Sequence, residues 1–204
     1  MMVDRKNRKS GNINKYLIYG STDFSSVLKD ILEQTEKEVV GFIDDFFPRN
    51  KGVLGTFEDI ISKYTPDKYN IVIGIGYKYM KERWSVYEKV RNAGYHTPSI
   101  IHPAAYVRNY ENIDDGAIIM AGAIVDVNTT VGDSSVIWPG AVLNHDSHIG
   151  ENCFISPNVT ICGFVNVGRN TFIGAGAIIV DHNSVPANSF VKAGSLYCNE
   201  QRAK

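Results

Sequence analysis

The sequence predicts an N-terminal α/β domain, a small Rossmann-like parallel sheet with flanking helices, followed by a parallel β-helix. Three observations carry that expectation. Strand-like and helix-like segments alternate through the first hundred residues, as they do where helices connect parallel strands. From residue 101 an aliphatic residue recurs at every sixth position, the repeat of a parallel β-helix in which three units close one coil. No apolar run approaches the roughly 20 residues that span a bilayer, so no membrane insertion is expected.

The elements follow in order. Residues 1–14, "MMVDRKNRKSGNIN", are basic without an apolar core, which excludes a secretory signal and reads as a disordered or tag-like tail. The α/β domain is expected over 15–100. "KYLIYGS" (15–21) is a first strand ending in glycine. "FSSVLKDILEQ" (24–34) has helical spacing through Phe24, Val27, Leu28, Ile31 and Leu32. "EVVGFIDD" (38–45) and "YNIVIGIG" (69–76) are the second and third strands, with the turn-rich "FFPRNKG" after the second. Residues 79–93 place Met80, Trp84, Tyr87 and Val90 on one helical stripe, and Gly94 is a stop. Ligands of such sheets sit beyond the carboxyl ends of the strands.

The β-helix is expected over 101–195, with 196–204 as a C-terminal tail. The sixfold positions run from Ile101 and Val107 through Leu143 and Ile161 to Val185 and Val191, aliphatic without exception. Each should point into a narrow interior and stack on the residue eighteen positions away. The fourth residue after each is usually small, as at Ala117, Ala123, Ser135, Ala141, Ser147 and Cys153, where backbone bends close to backbone. Gly132, Gly150, Gly168 and Gly174 follow the aliphatic position, and a corner demanding backbone freedom explains them.

Composition excludes several classes. The chain has 204 residues, is 44% hydrophobic and 21% charged, and carries a net charge of −1. That balance gives no electrostatic reason for nucleic-acid binding. Cys153, Cys162 and Cys198 are odd in number and lack CxxC spacing, which fits reduced thiols in a cytoplasm.

The stretch "AVLNHDSHIGENCF" (141–154) holds two histidines beside an aspartate. His145 is two residues past Leu143, so its side chain should leave the β-helix. A neutral imidazole there can take a proton from an amine or hydroxyl nucleophile. Asp146 can accept from the other ring nitrogen and fix the tautomer, or serve as a corner residue. His148 falls at the last position of the same unit and should point elsewhere. His102 and His182 lie too far along the helix to complete a ligand set, so no metal is expected. Gly163, eighteen residues after His145, should stack on it.

These repeats resemble those of the left-handed β-helix acyltransferases. Over residues 15 to 195 the chain is similar to the bacterial sugar O- and N-acyltransferases, through "YLIYGS", "VVGFIDD", "VIGIG", "SIIHPAAYV" and "NHD". That branch includes sialic acid O-acetyltransferases and N-acetyltransferases of nucleotide-linked 4-amino-sugars. The resemblance implies a left-handed helix and a homotrimer, with acetyl-CoA in the groove between neighbouring β-helices. It makes His145 the base, with Asp146 as its partner, and gives the Gly163 amide to the thioester carbonyl. Gly174 and Ala175 would line the pantetheine side. Gly20 and Ser21 would hold a nucleotide-sugar phosphate, Asp44 and Asp45 the base or ribose, and Tyr77 and Lys78 the base or a phosphate. Two departures stand out: Thr22 and Asp23 replace glycines in the first loop, and "KAGSLYCNEQRAK" replaces the family's closing segment.

The leading expectation is a cytoplasmic, acetyl-CoA-dependent N-acetyltransferase acting on a nucleotide-linked amino-deoxysugar in surface-glycan synthesis. The alternatives are an O-acetyltransferase of a sialic acid or other sugar hydroxyl, a non-catalytic nucleotide-sugar-binding trimer, and a zinc-dependent hydratase. The last resembles this chain in fold but uses an H-x4-H pattern that is absent here.

Overall fold

The computed structural model describes residues 13–198, so the expected tails fall outside the described residues at 1–12 and 199–204. The N-terminal domain is a three-stranded parallel sheet of β1 (Lys15–Tyr19), β2 (Glu38–Ile43) and β3 (Asn70–Ile73), in the order β2-β1-β3. Three helices complete it: α1 (Asp23–Gln34), α2 (Phe57–Ile60) and α3 (Met80–Asn92). Helix α3 ends ahead of Gly94, whose φ of 87° suits a glycine stop. The short α2 was not expected from the sequence, because one turn carries no periodicity. Thr56 and Asp59 form its capping box.

Both sides of the sheet are buried, which is why its strands read as near-continuous apolar runs. Leu17, Tyr19, Ile71 and Ile73 pack with Phe57 of α2 and with Tyr87 and Val90 of α3. Tyr16, Ile18 and Val72 pack with Phe24, Leu28 and Leu32 of α1, in a cluster that continues into the β-helix through Ile118, Val136 and Phe154.

The second domain is a left-handed β-helix of about five turns. Its first face stacks Ile100–Ile101, Ile118–Ile119, Val136–Ile137, Phe154–Ile155, Phe172–Ile173 and Phe190–Val191. The second face runs from Tyr106–Val107 through Val142–Leu143 to Leu196–Tyr197, two residues past the expected boundary. A shorter third face carries Thr130–Val131, His148–Ile149, Asn166–Val167 and Ser184–Val185. Paired residues are eighteen apart, as Phe154 with Phe172 and His148 with Asn166. All the sixfold aliphatics from Val107 to Val191 are buried in one cluster, and Ile101 packs against it partly buried.

The corners obey a second sixfold rule. Every sixth residue from Gly116 to Gly194 has positive φ, whether Gly, Asn or another type. This position, three past the aliphatic one, is where backbone freedom is needed. The glycines at 132, 150, 168 and 174 are not in that conformation, which corrects the role expected for them. They provide space: a Cβ on Gly150 would lie 2.7 Å from Arg169 N and 2.9 Å from Val167 O of the next coil. The small residues one position later also cap carbonyls. Ser135 Oγ donates to Gly150 O at 2.7 Å and Ser147 Oγ to Cys162 O at 2.8 Å.

The two domains meet on the first face. Phe24 stacks on Trp138 at 5.9 Å, and Tyr77 lies 5.3 Å from Phe154 and 5.0 Å from Phe172. Alongside, α3 follows the corner between the third and first faces. Fully buried Arg83 donates from Nη1 to Asn152 Oδ1 at 2.9 Å, and Asn152 Nδ2 donates to Met80 O at 2.8 Å. Burial pulls the Arg83 guanidinium down to about 9.

Space and freedom are therefore separable by substitution. Gly150→Ala should lower stability by roughly 1–3 kcal/mol through overpacking against rigid backbone. Gly176→Asn should leave it nearly unchanged, because Gly176 has φ of 66° with open space around it, and Asn158 and Asn170 already hold that conformation. Denaturant melts of the two variants measure the difference.

Candidate active site

The strand Val142–Leu143 ends with Leu143 inside the helix, and the chain then turns the corner between the second and third faces. Asn144 anchors the turn by donating from Nδ2 to Ile161 O at 2.8 Å, while Thr129 Oγ1 donates to Asn144 O at 2.6 Å. His145 therefore projects outward, its side chain about half exposed. Asp146 takes the positive-φ position at 56°, a conformation short polar side chains tolerate.

Asp146 links two coils. Its Oδ1 accepts from Asn128 Nδ2 at 3.0 Å, and its Oδ2 lies 2.9 Å from His145 Nδ1. The bond from Asn128, then that from His145, holds the Asp146 carboxyl below the usual carboxylate range. An ionised Asp146 selects the tautomer with the proton on Nδ1, so Nε2 presents its lone pair outward.

Gly163 lies against the ring in the next coil, as its eighteen-residue spacing predicts. A Cβ there would stand 2.7 Å from His145 Cε1 and 2.9 Å from Nε2. The Gly163 carbonyl accepts from His182 N at 3.0 Å, while its N–H has no hydrogen-bond partner among the described residues. The Phe164 ring stands edge-on to the imidazole at 5.2 Å and 86°. Sequence reasoning missed Phe164, and it weighed His182 only as a distant metal ligand, whereas His182 stacks on the far side of the Phe164 ring at 4.6 Å. The signal was available, since both occupy a corner position that elsewhere is mostly Gly or Asn.

His145, Asp146 and Gly163 thus come together. Gly174 and Ala175 do not join them within one chain, because they occupy the corner between the first and second faces. His148 lies on the third face with its Nδ1 2.5 Å from Thr130 Oγ1, apart from the His145 pair. Among the described residues, no group of three or more His, Cys, Asp or Glu side chains converges on a metal position.

The residues expected to meet a nucleotide sugar lie at the carboxyl ends of the sheet strands. Gly20 has φ of 114°, and a Cβ there would fall 2.9 Å from Gly74 O. Ser21 Oγ donates to Asp44 Oδ2 at 2.6 Å, and Asn50 Nδ2 donates to Ser21 Oγ at 3.0 Å. Asp44 Oδ1 accepts the N–H groups of Phe46 and Phe47, both at 2.9 Å. Asp45 turns to other partners: Phe57 N at 2.8 Å, Tyr19 Oη at 2.6 Å and Lys89 Nζ at 3.0 Å. Burial opposes its ionisation, but these three bonds hold its carboxyl below the ordinary range. Tyr77 is partly exposed on the Phe154–Phe172 ladder, and Lys78 is exposed.

The two groups of residues are far apart in one chain. The N-terminal domain covers the first face, whereas His145 stands on the ridge opposite that face.

Comparison with known proteins agrees with this architecture. Residues 15–90 match the PglD N-terminal domain family, and residues 128–163 and 146–181 match the bacterial transferase hexapeptide (six repeats) family. Among solved structures the chain is similar to PerB from Caulobacter crescentus in complex with CoA and GDP-perosamine. The identity is 25%, with 91% of this chain and 89% of that one covered and a TM-score of 0.82. A His-to-Ala mutant of GDP-perosamine N-acetyltransferase from the same organism, also with CoA and GDP-perosamine, gives 24% identity, the same coverage and a TM-score of 0.84. The acetyltransferase domain of PglB from Neisseria gonorrhoeae FA1090, in complex with acetyl coenzyme A, gives 24% identity, 91% coverage of both chains and 0.82. A search of curated protein sequences gives no significant match.

The close fit between ring and glycine is testable. Gly163→Ala should displace the imidazole and cut turnover by roughly 100-fold, the scale of a 1 Å misplacement. The melting midpoint should barely move, since the methyl meets a side chain that can swing outward. Assays with thermal melts, and a structure of the variant, provide the check.

Proposed function

We propose that this chain, a sugar acyltransferase of the left-handed β-helix family, transfers an acetyl group from acetyl-CoA to the amino group of a nucleotide-linked deoxysugar. The observation that carries the proposal is the His145–Asp146 pair seated over Gly163 on an outward ridge. The similar structures that contain CoA, acetyl coenzyme A and GDP-perosamine support the substrate classes. Supply of a surface polysaccharide from the cytoplasm fits those substrates.

His145 Nε2 takes a proton from the acceptor amine as its nitrogen attacks the thioester carbonyl, forming the C–N bond. The carbonyl oxygen gains negative charge, and in this reading the Gly163 N–H, unpartnered among the described residues, is the donor that stabilises it. When the adduct collapses, the C–S bond breaks and the thiolate takes the proton that His145 holds. Asp146 stabilises the imidazolium between these steps.

The active form is a homotrimer in this proposal. The second face presents Tyr106, Ile124, Ile178 and Leu196 to solvent, each at least 38% exposed, and such an apolar ladder suits association. A neighbour would bring its own N-terminal domain to the ridge that the chain's own domain cannot cover. The corner carrying Gly174 and Ala175 would face the same groove from a neighbouring copy.

Two outcomes follow. His145→Ala should reduce CoA release by at least 10²-fold with a panel of UDP-, dTDP-, GDP- and CMP-linked sugars, with and without an amino group, in line with general-base contributions of roughly 10² to 10⁴. Turnover supported only by sugars that lack an amine would replace N- with O-acetylation. Co-expression of His145→Ala with a chain blocked at the sheet, Ser21→Trp, should yield mixed oligomers with activity that neither variant has alone. Mixed oligomers without activity would place both halves of the site in one chain.

A further inference from the structure

Fourteen corners in succession, from Gly116 to Gly194, hold a residue at positive φ, and ten of them are Gly or Asn. Of the other four, Ser134 lies on the corner that faces α3. The remaining three, Asp146, Phe164 and His182, occupy successive coils of the corner that carries His145. Asp and His enter this region more readily than most residues, but for a bulky side chain such as Phe it is an outlier. Phe164 has φ of 57° and is 50% exposed, so burial does not account for it. Strain of this kind collects where function needs the side chain.

We infer that Phe164 is a positioning residue for the His145 imidazole, an inference that rests on the base assignment above. One hydrogen bond to Nδ1 leaves an imidazole free to rock about that bond. Here Asp146 holds Nδ1 at 2.9 Å, Gly163 lies against Cε1 and Nε2, and Phe164 closes a further side at 5.2 Å in an edge-on contact. Phe164 is itself held from beyond: its ring stacks on His182 at 4.6 Å and 11°. The backbone fixes both residues, since Phe164 N donates to His145 O at 3.2 Å and His182 N to Gly163 O at 3.0 Å. The outer surface of this stack faces solvent along the ridge.

A corner residue that serves only the fold and one that serves the base respond oppositely to the same substitution. Phe164→Asn removes the ring and relieves the strained backbone. The expected result is a melting midpoint equal to wild type or roughly 2–4 °C higher, with kcat lowered about 10- to 100-fold and KM for acetyl-CoA changed less than about twofold. Phe164→Tyr keeps the ring and should retain kcat within about threefold. The inference is overturned by wild-type kcat in the Asn variant, by a lower midpoint accompanying the lost activity, or by a raised KM at unchanged kcat, which would make the ring a substrate contact. His145→Ala assayed alongside separates the two levels: full activity there sinks the base itself, whereas an inactive His145→Ala beside a fully active Phe164→Asn sinks only the positioning role.

Discussion

One residue in every six must turn the chain with positive φ, and the rest of the molecule hangs on that requirement. Such a turn is unfavourable for most L-residues by roughly 1–2 kcal/mol, so the chain fills the position mainly with Gly and Asn. The turn keeps each coil at eighteen residues, so like positions stack. It sends the aliphatic residue three positions earlier into the interior, where Val, Ile and Leu each gain about 1.5–3 kcal/mol by burial. The same geometry turns outward the residue just before the positive-φ position, and that is where His145 stands.

The repeat makes three equivalent faces, and the outward strand residues make them different. On the first, Phe154, Phe172 and Phe190 stack at 5.9 and 5.0 Å, and Tyr77, Phe24 and Trp138 join them. That ladder receives the N-terminal domain. The second face shows Tyr106, Ile124, Ile178 and Leu196, while the third shows Thr130, His148, Asn166 and Ser184. A triangular coil has one ridge opposite any face, and the His145 ridge is opposite the covered one. Anchoring the sheet through Arg83 and Asn152 fixes this separation. The chemistry proposed here therefore depends on association as much as on the base.

What could be read from the sequence followed the strength of each local signal. The interior positions were plain because the strand position facing the narrow core is filled by aliphatic residues alone, in an unbroken series from Ile101 to Val191. The stacking of Gly163 on His145 followed from the same count. Helix α2 left no periodicity, since it has only four residues, and its one local signal is the Thr56–Asp59 capping box. The glycines at 132, 150, 168 and 174 were seen but misjudged: a sequence shows that a glycine is present, and only coordinates show whether it supplies freedom or room. Asp44 and Asp45 looked like one acidic pair. The pleat sends one to Ser21 and the other to Tyr19 and Lys89.

A repetitive scaffold also explains where function can sit. Most corners are tied by a backbone hydrogen bond to the coil before them, as Asp146 N to Val127 O and Asn152 N to Asp133 O, so a single unfavourable residue shifts a local equilibrium without unravelling the register. Phe164 illustrates the point: its N–H donates to His145 O, and its neighbours in the column keep the same turn. Ladders of this kind over-determine the backbone, which is the condition under which strained conformations persist. Departures from the repeat then become informative. Asn152, Asn170 and Asn188 follow the rule and bond to one another down their corner. Asp146, Phe164 and His182 replace such residues on the corner that carries His145, and the bonded repeat around them lets the chain hold them there.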